Sequence, residues 1–216
     1  MRISPDKTSR YALLQRVAPL LRHQILGNFH PLGLLADLVV RHVNAGNDDK
    51  AKHFALNLQD LTRATRDATL SLFSWLSDEE QSPSNAGQAL ATCVELVSSE
   101  FAMRGIALEA SIEVDAWVQA RAIRELFLGS LYAVTDQDSP PQEVRVRAVA
   151  GVSAVEITID VSGSTLSDGP PVWRITESDV HSLAELNSCH VMRAGTRTIL
   201  YVPCSESSAG SQGNST

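Results

Sequence analysis

Residues 11–43, YALLQRVAPLLRHQILGNFHPLGLLADLVVRHV, decide how this chain is organised. Apolar side chains recur there at intervals of three, four or seven over about nine helical turns, which predicts one long amphipathic helix. Gln24 and Asn28 are the only polar residues on that stripe. An apolar stripe of this length needs partner helices to cover it. Its apolar members are Leu14, Val17, Leu21, Ile25, Leu32, Leu35 and Val39.

Two histidines lie on the opposite side of this helix. At about 100° per residue, His23 and His30 are nearly superposed one heptad apart, on the face that we expect to meet solvent. An exposed imidazole titrates near neutral pH and can act as a nucleophile toward a phosphoryl group. A histidine on a helix is more often an ordinary surface residue, so the context has to decide. Pro31 should bend the helix just after His30.

Three large apolar side chains also lie off the stripe, close to the histidines. Leu26, Phe29 and Leu34 would not be needed there by a helix that only closes a bundle, so we expect a docking surface. The alternative for Phe29 is packing against the next helix of its own chain. Arg22 could neutralise a phosphoryl group or an acidic partner, although a solvated surface arginine is the commoner case.

A second long helix is expected from residue 50 to residue 76, after a turn at the sequence NAGNDD. The two helices would form an antiparallel hairpin with an apolar stripe on each arm. Because one side of such a hairpin stays uncovered, the simplest closure is a twofold copy that completes a four-helix bundle. We therefore expect a homodimer. The apolar positions of this helix are Phe54, Leu58, Leu61, Ala64 or Thr65, Ala68, Leu72, Trp75 and Leu76.

The remaining chain has a different character. We expect a helical hairpin domain at 1–78 that starts with a frayed lead-in, whose Thr8 or Ser9 caps the helix that begins near Tyr11. A polar linker would follow at 79–87, and a second domain at 88–204. In that domain the order helix, strand, helix, two strands, helix, two strands predicts a mixed sheet with helices on one face. The fold class is thus α+β, with a disordered tail at 205–216.

Composition narrows the function classes. The 216 residues are 44% hydrophobic and carry a net charge of −7, and no run of Lys and Arg offsets that charge. A nucleic-acid partner is therefore not expected. No apolar run approaches the roughly 20 residues that span a bilayer, so we expect no membrane segment and a cytoplasmic location. Cys93, Cys189 and Cys204 lack metal-ligand spacing and are expected to be buried or incidental thiols.

Residues 20–39, LLRHQILGNFHPLGLLADLV, resemble the phosphoacceptor box of sensor histidine kinases. In that box a histidine on the first long helix is followed by an acidic or amide residue. His23, followed by Gln24, fits the box and the spacing to the turn better than His30 does. The hairpin and the domain after it resemble the dimerisation and phosphotransfer region and the ATPase-like α/β sandwich of these kinases.

The sequence departs from working kinases at their nucleotide site. Gly129 and Ala133 stand where the resemblance expects asparagines that hold Mg²⁺ and phosphates. The kinase loop Asp-x-Gly-x-Gly aligns with residues 161–165, where only Gly163 remains. The glycine-rich phosphate loop has no counterpart before the helix HSLAELN. We therefore expect no bound nucleotide, no metal and no other cofactor.

An exposed histidine beside a lost ATP site resembles the phosphorelay histidine phosphotransferases. The resemblance implies that His23 accepts a phosphoryl group from the aspartate of one response-regulator receiver domain and passes it to another. The receiver supplies the Mg²⁺. The resemblance also allows a hybrid sensor kinase as partner. The residues expected to bind the partner are Arg22, Leu26, Phe29, His30 and Leu34.

Three alternatives remain open. A pseudokinase adaptor would bind receivers or a kinase without being phosphorylated. A kinase with divergent boxes would still bind ATP. A structural dimeric protein would have no receiver partner.

Overall fold

The computed structural model describes residues 5–76, 83–164 and 174–205. They divide into two compact units, one formed by 17–76 and the other by 5–16 with the part after 82. The helices are α1 (Pro5–Asn44), α2 (Asp48–Leu76), α3 (Ala86–Met103), α4 (Ala120–Thr135) and α5 (Glu177–Leu186). The strands are β1 (Pro83–Asn85), β2 (Ala107–Glu113), β3 (Trp117–Gln119), β4 (Glu143–Ala150), β5 (Ala154–Ser162), β6 (His190–Ala194) and β7 (Arg197–Pro203).

The first unit consists of two long helices, α1 and α2, that are joined by a short turn. Gly46 has φ = 67° in the turn between α1 and α2, a left-handed conformation that glycine adopts without strain. Asn47 accepts a hydrogen bond from the Lys50 amide through Oδ1 (3.3 Å) and so caps the start of α2. The His42 ring stacks on the Phe54 ring with centroids 5.3 Å apart, which ties the two helices together beside the turn.

The apolar stripes of both helices are less exposed than the other faces. On α1, Ile25, Leu32 and Leu35 are half-buried, and on α2 the same holds for Leu58 and Leu61. This is the degree of burial that one partner helix provides, because two helices leave part of each stripe uncovered. Helix α1 continues through Pro19 and Pro31 without interruption.

The second unit contains a five-stranded mixed sheet in the order β2-β4-β5-β7-β6. Strands β2 and β4 are parallel, and the remaining pairs are antiparallel. Alternate residues such as Val146, Ile157 and Leu200 are fully buried on one face, as the period of a strand requires. Helices α3, α4 and α5 supply the other half of this core, including Phe101 and Phe127. The predicted mixed sheet with helices on one face is therefore confirmed.

The expected linker at 79–87 needs correction. Residues 83–85 form β1, which pairs antiparallel with the equally short β3. Asn85 then accepts a hydrogen bond from the Gln88 amide (3.0 Å) and caps α3, which begins at Ala86, inside the expected linker. A polar segment with Pro, Ser and Asn is typical of a linker, but here the same residues form an edge strand and a helix cap. The preceding residues 77–82 lie outside the described part of the chain, as does the expected tail from residue 206 onward.

The expected lead-in and cap are wrong as well. Helix α1 begins at Pro5, a residue type favoured in the first helical turn, so that Thr8 and Ser9 are inside the helix. Residues 5–16 belong to the second unit rather than to the hairpin, in contrast to the domain 1–78 inferred from the sequence. Ser9 Oγ donates a hydrogen bond to Asp179 Oδ1 (2.8 Å) at the start of α5.

Arg16 anchors this first part of α1 in a buried ionic cluster. Its Nε donates to Asp136 Oδ2 (2.9 Å), and its Nη2 donates to Asp136 Oδ1 (3.1 Å) and to Glu100 Oε1. Its guanidinium carbon lies 4.0 Å from the centre of the Tyr132 ring, and the Tyr132 hydroxyl donates to Glu100 Oε2 (3.1 Å). Arg104 pairs with both carboxylates at 3.3 and 3.1 Å. Two guanidinium groups thus balance two carboxylates.

Candidate functional site

His23 is exposed on α1, in the hairpin unit. Its ring makes no hydrogen bond with any described residue, so both ring nitrogens are available to a partner or to solvent. His30 is also exposed, one heptad further along the same face. The structure therefore places both predicted histidines where helical geometry expects them. An exposed imidazole on a helix is a positioned nucleophile whose proton can exchange with water.

Two further residues share this face. Gly27 lies one turn after His23, and Leu34 lies one turn after His30, with 63% of its surface exposed. Four residues at these spacings form one strip along a helix. We call His23, Gly27, His30 and Leu34 the histidine face.

Leu26 and Phe29 lie on a different strip. They are 60% and 51% exposed, and the strip continues in steps of four and three residues that follow an a/d heptad pattern. This outer stripe consists of Leu26, Phe29, Gly33, Ala36, Val40 and Val43. Leu26 and Phe29 therefore follow the spacing of helix-packing residues, and their role in binding a partner stays a prediction. The same three-four spacing is visible in the sequence, beside the stripe that begins at Leu14.

Arg22 precedes His23 and is exposed. It forms no ion pair with any residue that the structure describes. Counted backward by four from Leu26, it lies at the N-terminal end of the outer stripe rather than on the histidine face. A flexible guanidinium at that position remains available to a phosphoryl group or a carboxylate of a partner.

Gly129 and Ala133, which stand at the asparagine positions of the resemblance, lie in a closely packed part of α4. Gly129 is buried in α4, and a Cβ built on it would lie 2.9 Å from Leu183 Cδ1 of α5. A cavity of about 10 Å³ remains among the described residues of α4, α5, β6 and β7, and Ala133 lines it. This volume is about what a single water molecule needs, whereas ligand pockets measure several hundred Å³.

The segment aligned with the kinase Asp-x-Gly-x-Gly loop follows β5. Gly163 has φ = 69°, and a Cβ at that position would lie 2.8 Å from Gln142 Oε1. The local chain path therefore explains this glycine without any ligand. Thr165 lies outside the described residues.

The outer face of the sheet carries a ladder of alternating charges. Glu109, Arg145, Asp160 and Arg197 are direct neighbours across β2, β4, β5 and β7. Arg197 Nε lies 2.7 Å from Asp160 Oδ1, and Arg145 Nε lies 3.4 Å from Glu109 Oε2. Because each cation faces a carboxylate, this face does not present a field of one sign.

Residue types that bind metals are spread over the described part of the chain and do not assemble there into a metal centre. Cys93 is buried, and burial raises the pKa of its thiol to about 12, which keeps it in the unreactive protonated form at neutral pH. Burial also raises the pKa of Cys189, to about 11. Within the described ranges, no three His, Cys, Asp or Glu side chains converge as ligands for a metal ion.

None of the described helices combines the length and the apolar character that crossing a membrane requires.

Comparisons with known proteins find similar solved structures at low sequence identity. No family model matches the sequence, and no curated protein matches it. The chain is similar to the ATP-binding domain of PrrB from Mycobacterium tuberculosis (14% identity, TM-score 0.44), over 59% of this chain and 99% of that one. It is similar to the Acinetobacter baumannii histidine kinase AdeS (10% identity, TM-score 0.42), over 85% of this chain and 97% of that one. It is also similar to a bacterial phosphotransferase solved at 1.7 Å (13% identity, TM-score 0.40), over 94% of this chain and 98% of that one.

Proposed function

We propose that the chain is a cytoplasmic histidine phosphotransferase of a two-component phosphorelay, with His23 as the phosphoacceptor. The electron pair of the unprotonated ring nitrogen of His23 forms the P–N bond, while the other ring nitrogen keeps its proton. The P–O bond to the receiver aspartate breaks, and its electron pair leaves with the carboxylate. The reverse sequence passes the phosphoryl group to a second receiver. Each receiver brings its own Mg²⁺, and this chain supplies a positioned nucleophile.

The observation that carries the proposal is the placement of His23. It is exposed, it has no hydrogen-bonding partner among the described residues, and it lies away from both apolar stripes of α1. A partner can therefore reach the imidazole without disturbing the hairpin. The resemblance of residues 20–39 to a phosphoacceptor box supports the same assignment.

The packing of α4 against α5 supports a transferase rather than an ATP-dependent kinase. Leu183 packs directly against Gly129, and the cavity that Ala133 lines measures only about 10 Å³. A phosphoryl group would then have to come from another protein. A receiver domain with a phosphorylated aspartate is a donor of this kind.

The two strips on α1 suggest two different occupants. The heptad spacing of the outer stripe is typical of a helix that packs against another helix, so we assign Leu26 and Phe29 to the interface with a second copy of the chain. The histidine face would then receive the receiver domain. His30 and Leu34 follow His23 within about three turns, and a receiver whose aspartate reaches His23 must cover part of them.

The test is transfer of label from a receiver domain that has been phosphorylated with radiolabelled acetyl phosphate. We expect the unchanged chain to gain acid-labile label, the His23→Ala variant to gain none, and the control His30→Ala to keep its label. Label on His23→Ala but not on His30→Ala would move the phosphoacceptor to His30. A chain that binds the receiver but never gains label would be the pseudokinase adaptor.

A further inference from the structure

Gly27 is a glycine that the fold of its own chain does not require. It lies in the interior of α1 on an exposed face, its φ is not positive, and a Cβ built on it would meet nothing within 4 Å. A glycine at such a position destabilises a helix relative to alanine, because it loses more backbone freedom on folding. The requirement for glycine must therefore come from outside the chain, as a close approach by something else.

The position of Gly27 relative to His23 indicates what approaches. The two residues are four apart, so they are neighbours on one helix face. Side chains on an α-helix lean toward its N-terminus and cover the preceding turn. A Cβ at residue 27 would not touch the imidazole of His23, but a longer side chain there would lean over it. Glycine leaves one flank of the ring open.

His30 borders the same opening from the other end. It lies three residues after Gly27, and its side chain also leans toward the helix N-terminus. Two imidazoles thus flank a notch whose floor is the bare backbone of Gly27. A bulky protein loop with a phosphoryl group at its tip could enter this notch in line with a ring nitrogen of His23.

We propose that Gly27 is a specificity-determining residue that keeps His23 accessible to a phosphoryl group carried by a protein. The proposal rests on the proposed function, since it concerns the same transfer from an aspartyl phosphate to His23. A side chain at residue 27 would exclude the receiver loop, which needs room on that flank. A small phosphodonor would still reach the ring from its free sides. The bonds that form and break are those of the proposed transfer, and Gly27 takes no part in them.

The experiment compares two donors on the full chain. Phosphoramidate is the small donor, and a receiver domain phosphorylated by acetyl phosphate is the protein donor. The variants are Gly27→Ala and Gly27→Leu. The control is Ala18→Leu, which adds a side chain at an exposed position five residues before His23, where the new side chain leans away from the imidazole.

We expect phosphoramidate to label all variants within about twofold of the unchanged chain. Transfer from the receiver should fall about tenfold or more in Gly27→Leu and less in Gly27→Ala, whereas Ala18→Leu should transfer normally. The thermal midpoint should stay the same or rise in both Gly27 variants, because each replaces a helical glycine. A loss of helix stability therefore would not account for slower transfer.

Two results would overturn the inference in distinguishable ways. In the first, the receiver labels Gly27→Leu as fast as the unchanged chain, or labelling of Gly27→Leu by phosphoramidate and by the receiver falls by the same factor. Gly27 then does not discriminate between small and protein donors, while the proposed function stands. If no receiver labels the unchanged chain, the proposed function itself fails, and the role of Gly27 fails with it.

Discussion

The guanidinium of Arg16 joins α1, α3 and α4 at one point. It is almost completely buried, and it shares Asp136 and Glu100 with Arg104. Burial alone would lower the pKa of Arg16, but the hydrogen bonds to these two carboxylates outweigh it and raise the pKa. The arginine therefore stays charged across the accessible pH range, and the cluster depends on it.

Replacing Arg16 by Met should lower the free energy of unfolding by about 3 kcal/mol, because Glu100 and Asp136 then share only the guanidinium of Arg104 and one buried negative charge is left uncompensated. The measurement is urea denaturation followed by the fluorescence of the tryptophans. Arg66 is the control, since its pair with Asp67 is exposed on both sides, and Arg66→Met should change stability by less than about 1 kcal/mol. Equal effects of the two variants would show that the buried cluster contributes no more than a surface pair.

At the scale of single elements, α5 begins with a reciprocal cap that reaches back to α1. Asp179 accepts hydrogen bonds from the Thr176 amide (2.9 Å), the Thr176 hydroxyl (2.6 Å) and the Ser9 hydroxyl (2.8 Å). Partial burial would raise the pKa of this carboxyl, but the hydrogen bonds from Thr176 and Ser9 outweigh it and lower the pKa. The ionised carboxylate is thus favoured in the folded chain.

This cap predicts a particular loss of stability in acid. Because the pKa of Asp179 is lower in the folded than in the unfolded chain, its contribution is present above the unfolded value of about 4 and disappears as the pH falls through the folded value. Asp179→Asn should therefore lose less stability than the unchanged chain between about pH 6 and pH 3. Thermal midpoints measured along this range would test it. Asp37→Asn, which alters an exposed carboxylate, should keep the slope of the unchanged chain.

The elements that the sequence predicted well are those with long periodic patterns. The hairpin of α1 and α2 and the strands β4 and β5 follow their apolar spacing closely, because burial of one face repeats over many residues. The pair β1 and β3 was missed because three residues carry no period. The start of α1 was missed because its contacts come from a distant part of the chain. The Ser9–Asp179 hydrogen bond joins residues 170 positions apart.

The candidate site, like the fold, was predictable from the sequence only in part. His23 and His30 could be placed on an exposed face from helical geometry alone. The division between the histidine face and the outer stripe needed the observed exposure of Leu26, Phe29 and Leu34. The role proposed for Gly27 could be inferred only because a Cβ built on it meets no atom within 4 Å in the structure. The free space around a residue and the exposed fraction of its side chain cannot be calculated from the helical periodicity of one segment, because both depend on where the other helix lies.

At the scale of the whole molecule, the outer stripe leaves a long apolar surface on a single chain. Four of its members, Leu26, Phe29, Val40 and Val43, are each more than half exposed. Monomeric proteins rarely leave a contiguous apolar surface of this kind uncovered. A second copy of the chain would cover it with an identical stripe, as twofold symmetry requires. The small residues Gly33 and Ala36 at its centre would let the two helices approach closely.

The last prediction separates this interface from the histidine face. Sedimentation equilibrium at micromolar concentration should give about twice the chain mass of 23.4 kDa. Val40→Asp places a charge in each half of the interface, which costs about 2 kcal/mol or more when it is left unpaired, so this variant should sediment as a monomer. Val40 is exposed in the single chain, and the variant should therefore keep its helical circular dichroism. Leu34→Asp, on the histidine face, is the matched control and should remain a dimer. If Val40→Asp stays a dimer and Leu34→Asp becomes a monomer, the histidine face rather than the outer stripe forms the dimer interface. A monomer for the unchanged chain would exclude the four-helix bundle.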